Sequence, residues 1–267
     1  IEPGDKITAT VALRDLDKDG FMVMATEQGE VKKTDLEMFH NLRSNGLRAF
    51  DIEDGDSLKW VEISTGNDEV IMVTHNGMSI RFHEKDLRSA GRAAGGVRGI
   101  KLSANDRVVG MTLAKADKEL LVASEKGYGK RTTLEDYRKQ TRGGKGIKTM
   151  NITDKTGKIV ETAVVDDTDK IVIITNMGIM LKIRVKEIRS CGRSTQGVKL
   201  INLGAGDGIA SLATIPKADA PEEPKTPRKK ITDPALGGTP DDEAVEVDDV
   251  EEDIEDEELD DEAEEEE

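Results

Sequence analysis

LLVASEKGYGKRT, residues 120–132, is an apolar run carried through a glycine turn at Gly127 into a basic run at Lys130 and Arg131. The same order recurs three times, as FMVMATEQGEVKK (21–33), VIMVTHNGMSIRF (70–82) and VIITNMGIMLKIR (172–184). The turn glycines Gly29, Gly77, Gly127 and Gly178 are spaced 48, 50 and 51 residues apart. Short β-branched runs broken by Gly and Asn turns are predicted to be strands joined in hairpins. Alternation in Ile80-Arg81-Phe82 and in Lys182-Ile183-Arg184 puts apolar residues on one side.

A second pattern follows each hairpin: NGLRAFDI (45–52), GGVRGIKL (95–102), KGIKTMNI (145–152) and QGVKLINL (196–203). Its glycines, Gly46, Gly96, Gly146 and Gly197, lie 17, 19, 19 and 19 residues after the turn glycines. A third strand closes each unit, as LKWVEI, VVGMTLA, IVETAVV and IASLATI, and ITATVAL (7–13) reads as a fifth copy of it. A period near 50 residues with three or four strands per unit predicts an all-β, propeller-like array of about four blades over residues 1–215. No unit can bury its apolar face alone, so each is expected to stack on a neighbour. The array is expected to start mid-repeat and to be the later part of a larger one. A helical solenoid is the rival, and it lacks the long apolar stripes of period 3.6 that helices would need.

Charge is divided unevenly along the 267 residues. Of 39 Lys+Arg and 55 Asp+Glu, residues 216–267 hold 5 and 24, leaving a body of 34 and 31 with a net charge of +3. The whole-chain net of −16 therefore conceals a slightly basic body and says nothing against a polyanionic partner. Residues 216–240, rich in proline with a basic run at Arg228-Lys229-Lys230, are predicted to be a linker. Residues 241–267, with 20 acidic side chains and no aromatic, are predicted to be a disordered tail. Aromatics make up 3% of the chain, so the core must be built from Val, Ile, Leu and Met. The single cysteine, Cys191, permits no internal disulfide and fits a reducing compartment. No membrane-spanning run or secretory leader is read from the sequence.

Each unit also carries a Gly-rich basic segment: LRSNGLR (42–48), LRSAGRAAGGVRG (87–99), YRKQTRGGKGIK (137–148) and IRSCGRSTQGVK (188–199). Glycine lets the backbone approach a polyanion closely, and Arg and Lys supply phosphate contacts. One such loop would be an ordinary solubilising turn. Four in register predict a belt of positive charge. The aromatic platforms that stack single-stranded bases are missing, so the expected ligand is a duplex held by its backbone with little sequence readout.

The segment Gln140-Thr141-Arg142-Gly143-Gly144-Lys145-Gly146 resembles the box of the DNA gyrase A-subunit family, Gln-Arg-Arg-Gly-Gly-Lys-Gly, with Thr141 in place of one Arg. EKGYGKRT (125–132), RGGKGIKTMNIT (142–153) and GRSTQGVKLI (192–201) resemble the C-terminal domain of that family, and the likeness covers residues 5–215. The resemblance implies a β-pinwheel that wraps duplex DNA, in a bacterial, cytoplasmic type IIA topoisomerase that introduces negative supercoils. It implies a heterotetramer of two A and two B subunits, with ATP and Mg2+ used elsewhere in the holoenzyme. In the family the first two blades, the principal box and the breakage-reunion domain with its catalytic tyrosine lie upstream. The chain itself is then expected to be non-catalytic and to hold no cofactor, and Tyr128 and Tyr137 are not that tyrosine. A polyanionic tail tethered to such a body is expected to compete with DNA for its cations.

The residues expected to contact phosphate are Lys32, Lys33, Arg81, Arg98, Lys130, Arg131, Arg142, Lys145, Lys148, Lys182, Arg184 and Arg193. Three other motifs are set aside. Asp15-Leu16-Asp17-Lys18-Asp19-Gly20 starts like a calcium loop but has Thr26 at its twelfth position. Residues 127–132 end like a phosphate loop but have Arg131 where Ser or Thr should follow Lys. His40, His75 and His83 show no metal-ligand spacing. Trp60 and Phe82 are expected in the core. Two rival functions remain: the corresponding domain of topoisomerase IV, and a propeller that binds protein partners through loops on a disc face. A basic belt along one edge of the blades favours DNA; scatter favours the platform.

Overall fold

The computed structural model describes residues 7–11, 19–41, 46–115 and 117–217. The linker beyond residue 217, the acidic tail, residues 12–18 of the calcium-like segment and residues 42–45 of the first basic loop lie outside the described residues. Residues 7–11 of the expected fifth closing strand carry no regular secondary structure.

Four hairpins form where the repeats place them: β1 (Phe21–Thr26) with β2 (Glu30–Asp35), β4 (Glu69–Thr74) with β5 (Met78–His83), β8 (Glu119–Ser124) with β9 (Tyr128–Thr133), and β12 (Lys170–Thr175) with β13 (Met180–Arg184). One hydroxyl fixes most of these turns. Thr26, Thr74 and Thr175 accept a hydrogen bond at Oγ1 from the amide four residues on, at 3.1, 3.2 and 3.2 Å. Each second strand runs into a single 3-10 turn, at Leu36–Phe39, Glu84–Asp86, Leu134–Asp136 and Val185–Glu187. The closing strands β3 (Leu58–Ser64), β7 (Val108–Ala114), β11 (Ile159–Val165) and β15 (Ile209–Ile215) pair back on the first strand of their own hairpin.

The second pattern does something different. Its strands β6 (Val97–Arg98), β10 (Ile147–Lys148) and β14 (Val198–Lys199) are two residues long and join the sheet of the preceding unit. The sheets therefore run β3-β1-β2-β6, β7-β4-β5-β10 and β11-β8-β9-β14, while the fourth is three-stranded, β15-β12-β13. The expected four-stranded blade exists, but its outermost strand is lent by the next repeat. Glycine makes the crossing possible. Gly197, at φ +76°, brings a strand so close that a β-carbon there would sit 2.5 Å from the Gly129 carbonyl oxygen.

Burial explains why the inner hairpin strands read as continuous apolar runs. On β4, Val70 and Met72 pack toward the first sheet with Val23 and Val31, while Ile71 and Val73 pack toward the third with Leu120 and Val122. Successive side chains point to opposite faces, and both faces are covered. On β8 the same division sends Leu121 and Ala123 toward Ile171 and Ile173 of the fourth sheet. Phe82 is fully buried and Trp60 packs at the edge of that core, as expected.

The closing strands touch in sequence, β3 on β7, β7 on β11 and β11 on β15, so they form the inner edge of the row. Glu62 and Glu161 lie on this edge and line a cleft with Trp60, Thr112 and Thr162. Burial raises both carboxyls above the ordinary glutamate value of 4.5. A raised carboxyl stabilises the fold fully below its unfolded pKa, and that stability is lost as pH rises through the folded value. Glu161→Gln is therefore expected to raise the melting temperature at neutral pH and to leave it unchanged below about pH 4. Identical melting curves at pH 7 refute this.

Candidate nucleic-acid interface

Each of the last three basic segments leaves the 3-10 turn of its unit at a buried anchor, Leu87, Tyr137 or Ile188. It then crosses to the preceding hairpin, where the amides of Ala90, Gln140 and Cys191 donate to the carbonyls of Lys33, Arg81 and Arg131. From there it turns through glycine into β6, β10 or β14. Because those strands lie at the sheet edge opposite the touching closing strands, the loops sit on the outer edge of the array.

The loops are also tied to one another. The carbonyls of Ala94, Gly144 and Thr195 accept from the amides of Asp51, Lys101 and Asn151 in the unit before, at 3.1, 2.8 and 3.0 Å. Arginine reinforces the same seam. Arg142 donates to the carbonyls of Asp86 and Arg98, both at 3.1 Å, and Arg193 donates to that of Lys148 at 3.1 Å. The result is a backbone ribbon along the outer edge whose exposed cations include Arg98, Lys145 and Lys148. Arg142 and Arg193 are half-buried in it.

Register reveals cations that sequence reading passed over. Arg92, Arg142 and Arg193 each stand four residues before the pattern glycine, and Arg98, Lys148 and Lys199 two residues after it. Arg92 and Lys199 therefore belong to the belt with the residues already named. Aligning the four units on their second glycine was the available signal.

Five of the expected phosphate ligands have hydrogen-bond partners inside the fold. Lys33 Nζ donates to the Glu84 carbonyl at 3.0 Å. Arg81 donates to the Leu134 and Tyr137 carbonyls and pairs with Glu69 at 2.6 Å. Arg131 donates to the Ile188 carbonyl and pairs with Glu119, both at 2.6 Å, and with Asp167. All three hold the same register, four residues past the turn glycine, and rivet their hairpin to the 3-10 turn of the next unit. Lys32 and Lys130 lie one residue earlier and point into the basic loops from beneath. Lys32 Nζ donates to the carbonyls of Ala49, Gly91, Arg92 and Ala94 and sits 4.8 Å from the Phe50 ring centre. Lys130 Nζ donates to the Gly192 and Arg193 carbonyls and to Thr195 Oγ1. Burial lowers both ammonium groups, Lys130 to about 8, so it still carries its charge at neutral pH.

The box-like loop 140–146 lacks such a lysine. Ile80 occupies that register on β5, with its Cδ1 3.7 Å from the β-carbon position of Gly144. This loop closes over an apolar side chain, and Lys145 is left on the outside. Thr141 is exposed, and Gly143 and Gly146 adopt φ of +81° and +78°. Lys182 and Arg184 are exposed on β13, Arg184 paired with Glu187. Tyr137 is buried with its hydroxyl 2.6 Å from Thr149 Oγ1, and burial pushes that hydroxyl up. His75 is a buried turn residue, its Nδ1 donating to the Ile159 carbonyl at 2.7 Å.

The model of the DNA gyrase C-terminal domain, β-propeller, matches residues 21–65, 68–115, 118–166 and 169–216, one match per unit. The DNA gyrase A protein of Staphylococcus epidermidis is 38% identical over 222 residues, covering 82% of this chain and 25% of that protein. Its counterpart in Staphylococcus aureus strain NCTC 8325 is 38% identical over 242 residues, covering 90% and 27%. The chain thus spans about a quarter of the length of the curated relatives it matches. Among solved structures, the C-terminal domain of DNA topoisomerase IV superposes with a TM-score of 0.76 at 26% identity, covering 82% of this chain and 69% of that one. A DNA gyrase A C-terminal domain superposes with a TM-score of 0.69 at 25% identity, covering 76% and 68%.

Proposed function

The chain belongs to the DNA gyrase C-terminal β-propeller family, and from that membership we propose that its outer basic ribbon binds duplex DNA by the phosphate backbone and wraps it. The observation that carries this reading is the placement of the basic loops in register along one edge, joined by backbone hydrogen bonds. A protein-binding platform would have no need to array cations there. Between the two topoisomerase readings, both solved domains share the fold, while the two Staphylococcus relatives are gyrase A proteins. The near-intact box at 140–146 also favours gyrase. In a complete enzyme of two A and two B subunits, the wrapped DNA would present a crossing of defined hand. ATP hydrolysis by the B subunits, with Mg2+, would then drive strand passage toward negative supercoils. This chain would contribute geometry and no catalytic group, in the bacterial cytoplasm.

The test is a triple substitution of exposed belt cations, Arg98→Ala, Lys145→Ala and Lys148→Ala. Each lost phosphate contact removes about 0.9 from the log–log salt slope, so the triple variant should lose about 2.7 and bind on the order of 100-fold more weakly at low salt. Exposed substitutions of this kind typically change stability by about 0.5 kcal/mol or less each. A variant that stays folded and keeps full affinity for duplex DNA overturns the proposal.

A further inference from the structure

The arginine of the box-like loop is directed at the unit before it. Arg142 Nε donates to the carbonyl of Asp86, at the end of the second 3-10 turn, and its guanidinium donates again to the carbonyl of Arg98, both at 3.1 Å. Those carbonyls stand at the two ends of the preceding basic loop, so one planar fork staples that loop at both ends. The backbone repeats the contact. Gly143 donates its amide to the Gly99 carbonyl at 2.6 Å, and Lys101 donates to the Gly144 carbonyl at 2.8 Å. A β-carbon on Gly143 would lie 3.4 Å from the Arg98 carbonyl oxygen and 3.9 Å from Arg98 Cγ and Cδ, so the stem of Arg98 runs along the face of the box.

The same arrangement recurs one unit on. Arg193, in the register of Arg142, donates to the carbonyl of Lys148, in the register of Arg98, at 3.1 Å. Asn151 donates to the Thr195 carbonyl at 3.0 Å, as Lys101 does to Gly144. In both seams the arginine that donates is half-buried, and the cation whose carbonyl it holds is exposed.

We infer that Arg142 and Arg193 are positioning residues, each holding the exposed cation of the preceding unit, Arg98 or Lys148, in place for a phosphate. The inference rests on the reading that the ribbon binds duplex DNA. A long side chain with a fixed base and a packed stem has less freedom to lose on binding, so the same phosphate contact yields more affinity. The dependence has a direction along the row. The loop of one unit supports the contact made by the unit before it, and damage at Arg142 is felt at Arg98.

A double-mutant cycle on the full chain, with duplex affinity measured by fluorescence anisotropy across a salt series, reads this coupling. Arg98→Ala removes one phosphate contact and is expected to weaken binding about fivefold at low salt and to lower the log–log salt slope by about 0.9. Arg142→Ala is expected to reproduce both changes, and the double variant to be no weaker than either single one. Arg142→Ala combined with Lys148→Ala should instead multiply to about 25-fold, because Lys148 is held by Arg193. The Arg193–Lys148 pair gives the same cycle should Arg142→Ala melt early. A loss of about 25-fold in the Arg98→Ala, Arg142→Ala variant, with the slope lowered by about 1.8, makes Arg142 a phosphate ligand in its own right and overturns the inference. So does an Arg142→Ala variant that binds like the wild type. A wild-type chain that binds no duplex overturns the DNA reading, and the inference with it.

Discussion

Raising monovalent salt from about 50 to about 200 mM is expected to weaken duplex DNA binding by the compact unit, residues 1–221, by about 10^3-fold. The size of the effect follows from the ribbon. Arg98, Arg142, Lys145, Lys148 and Arg193 lie on it, and Arg92 and Lys199 share their registers. If about six phosphates are neutralised, the log–log slope is near −5, and a fourfold rise in salt lowers affinity by about three decades. Among the described residues no aromatic side chain is exposed on the ribbon to stack a base, since Phe50 and Tyr137 are buried, and contacts to phosphate carry no sequence information. Duplexes of unrelated sequence should consequently give superimposable salt curves. A slope near zero, or a strong preference for one sequence, means that the ribbon does not hold the phosphate backbone.

The second large effect is expected from a residue that never reaches the surface. Lys130 is fully buried and its ammonium satisfies two backbone carbonyls and the Thr195 hydroxyl inside the loop 192–195. Hydrogen bonds from a charged group contribute about 1.5–3 kcal/mol, and orphaned acceptors add to the loss. Lys130→Ala should therefore cost about 3 kcal/mol, which for a unit of this size lowers the melting temperature by roughly 6–12 °C. Lys130→Met keeps most of the stem packing and should recover only part of that, since the acceptors remain unpaired. Both variants should also weaken DNA binding, because the loop bearing Arg193 and Lys199 loses its support. Melting curves separate the readings: a variant that melts like the wild type but binds DNA as weakly as a Lys145→Ala variant would make Lys130 a phosphate ligand after all.

Periodicity was legible because glycine is required at recurring backbone positions. A glycine must turn the hairpin at Gly29, Gly77, Gly127 and Gly178, and in the last two units another passes under a neighbouring carbonyl, at Gly146 and Gly197. Hairpins, closing strands and the outer loops followed from those marks. Which sheet the second pattern joins did not, because a two-residue strand such as Val97–Arg98 has too little length to show a pairing preference. Charge alone does not separate two environments. A cation inside a strand and a cation in a loop look alike as letters, yet Lys33 and Arg131 are buried rivets while Lys145 and Lys148 face outward. The distinguishing signal is position: in the first three units these side chains stand three or four residues past a turn glycine, on a strand that the next unit covers, whereas Lys182, four residues past Gly178 in the last unit, is exposed. Ile80, in the register of Lys32 and Lys130, marks that site as interior.

The lending of each outer strand by the following repeat also constrains how the chain can be made. During synthesis the hairpin β1-β2 and its closing strand β3 are complete once Ser64 has emerged, but the edge of that sheet stays bare until Arg98 follows. At roughly 5–20 residues per second that interval lasts seconds, long compared with the microseconds a hairpin needs to form. A nascent chain thus always trails one unfinished sheet behind the ribosome, completed only by the repeat translated next. A ribosomal pause after Ser64 has emerged and before Arg98 has would prolong the life of that bare edge, and a pause once Arg98 has emerged would not.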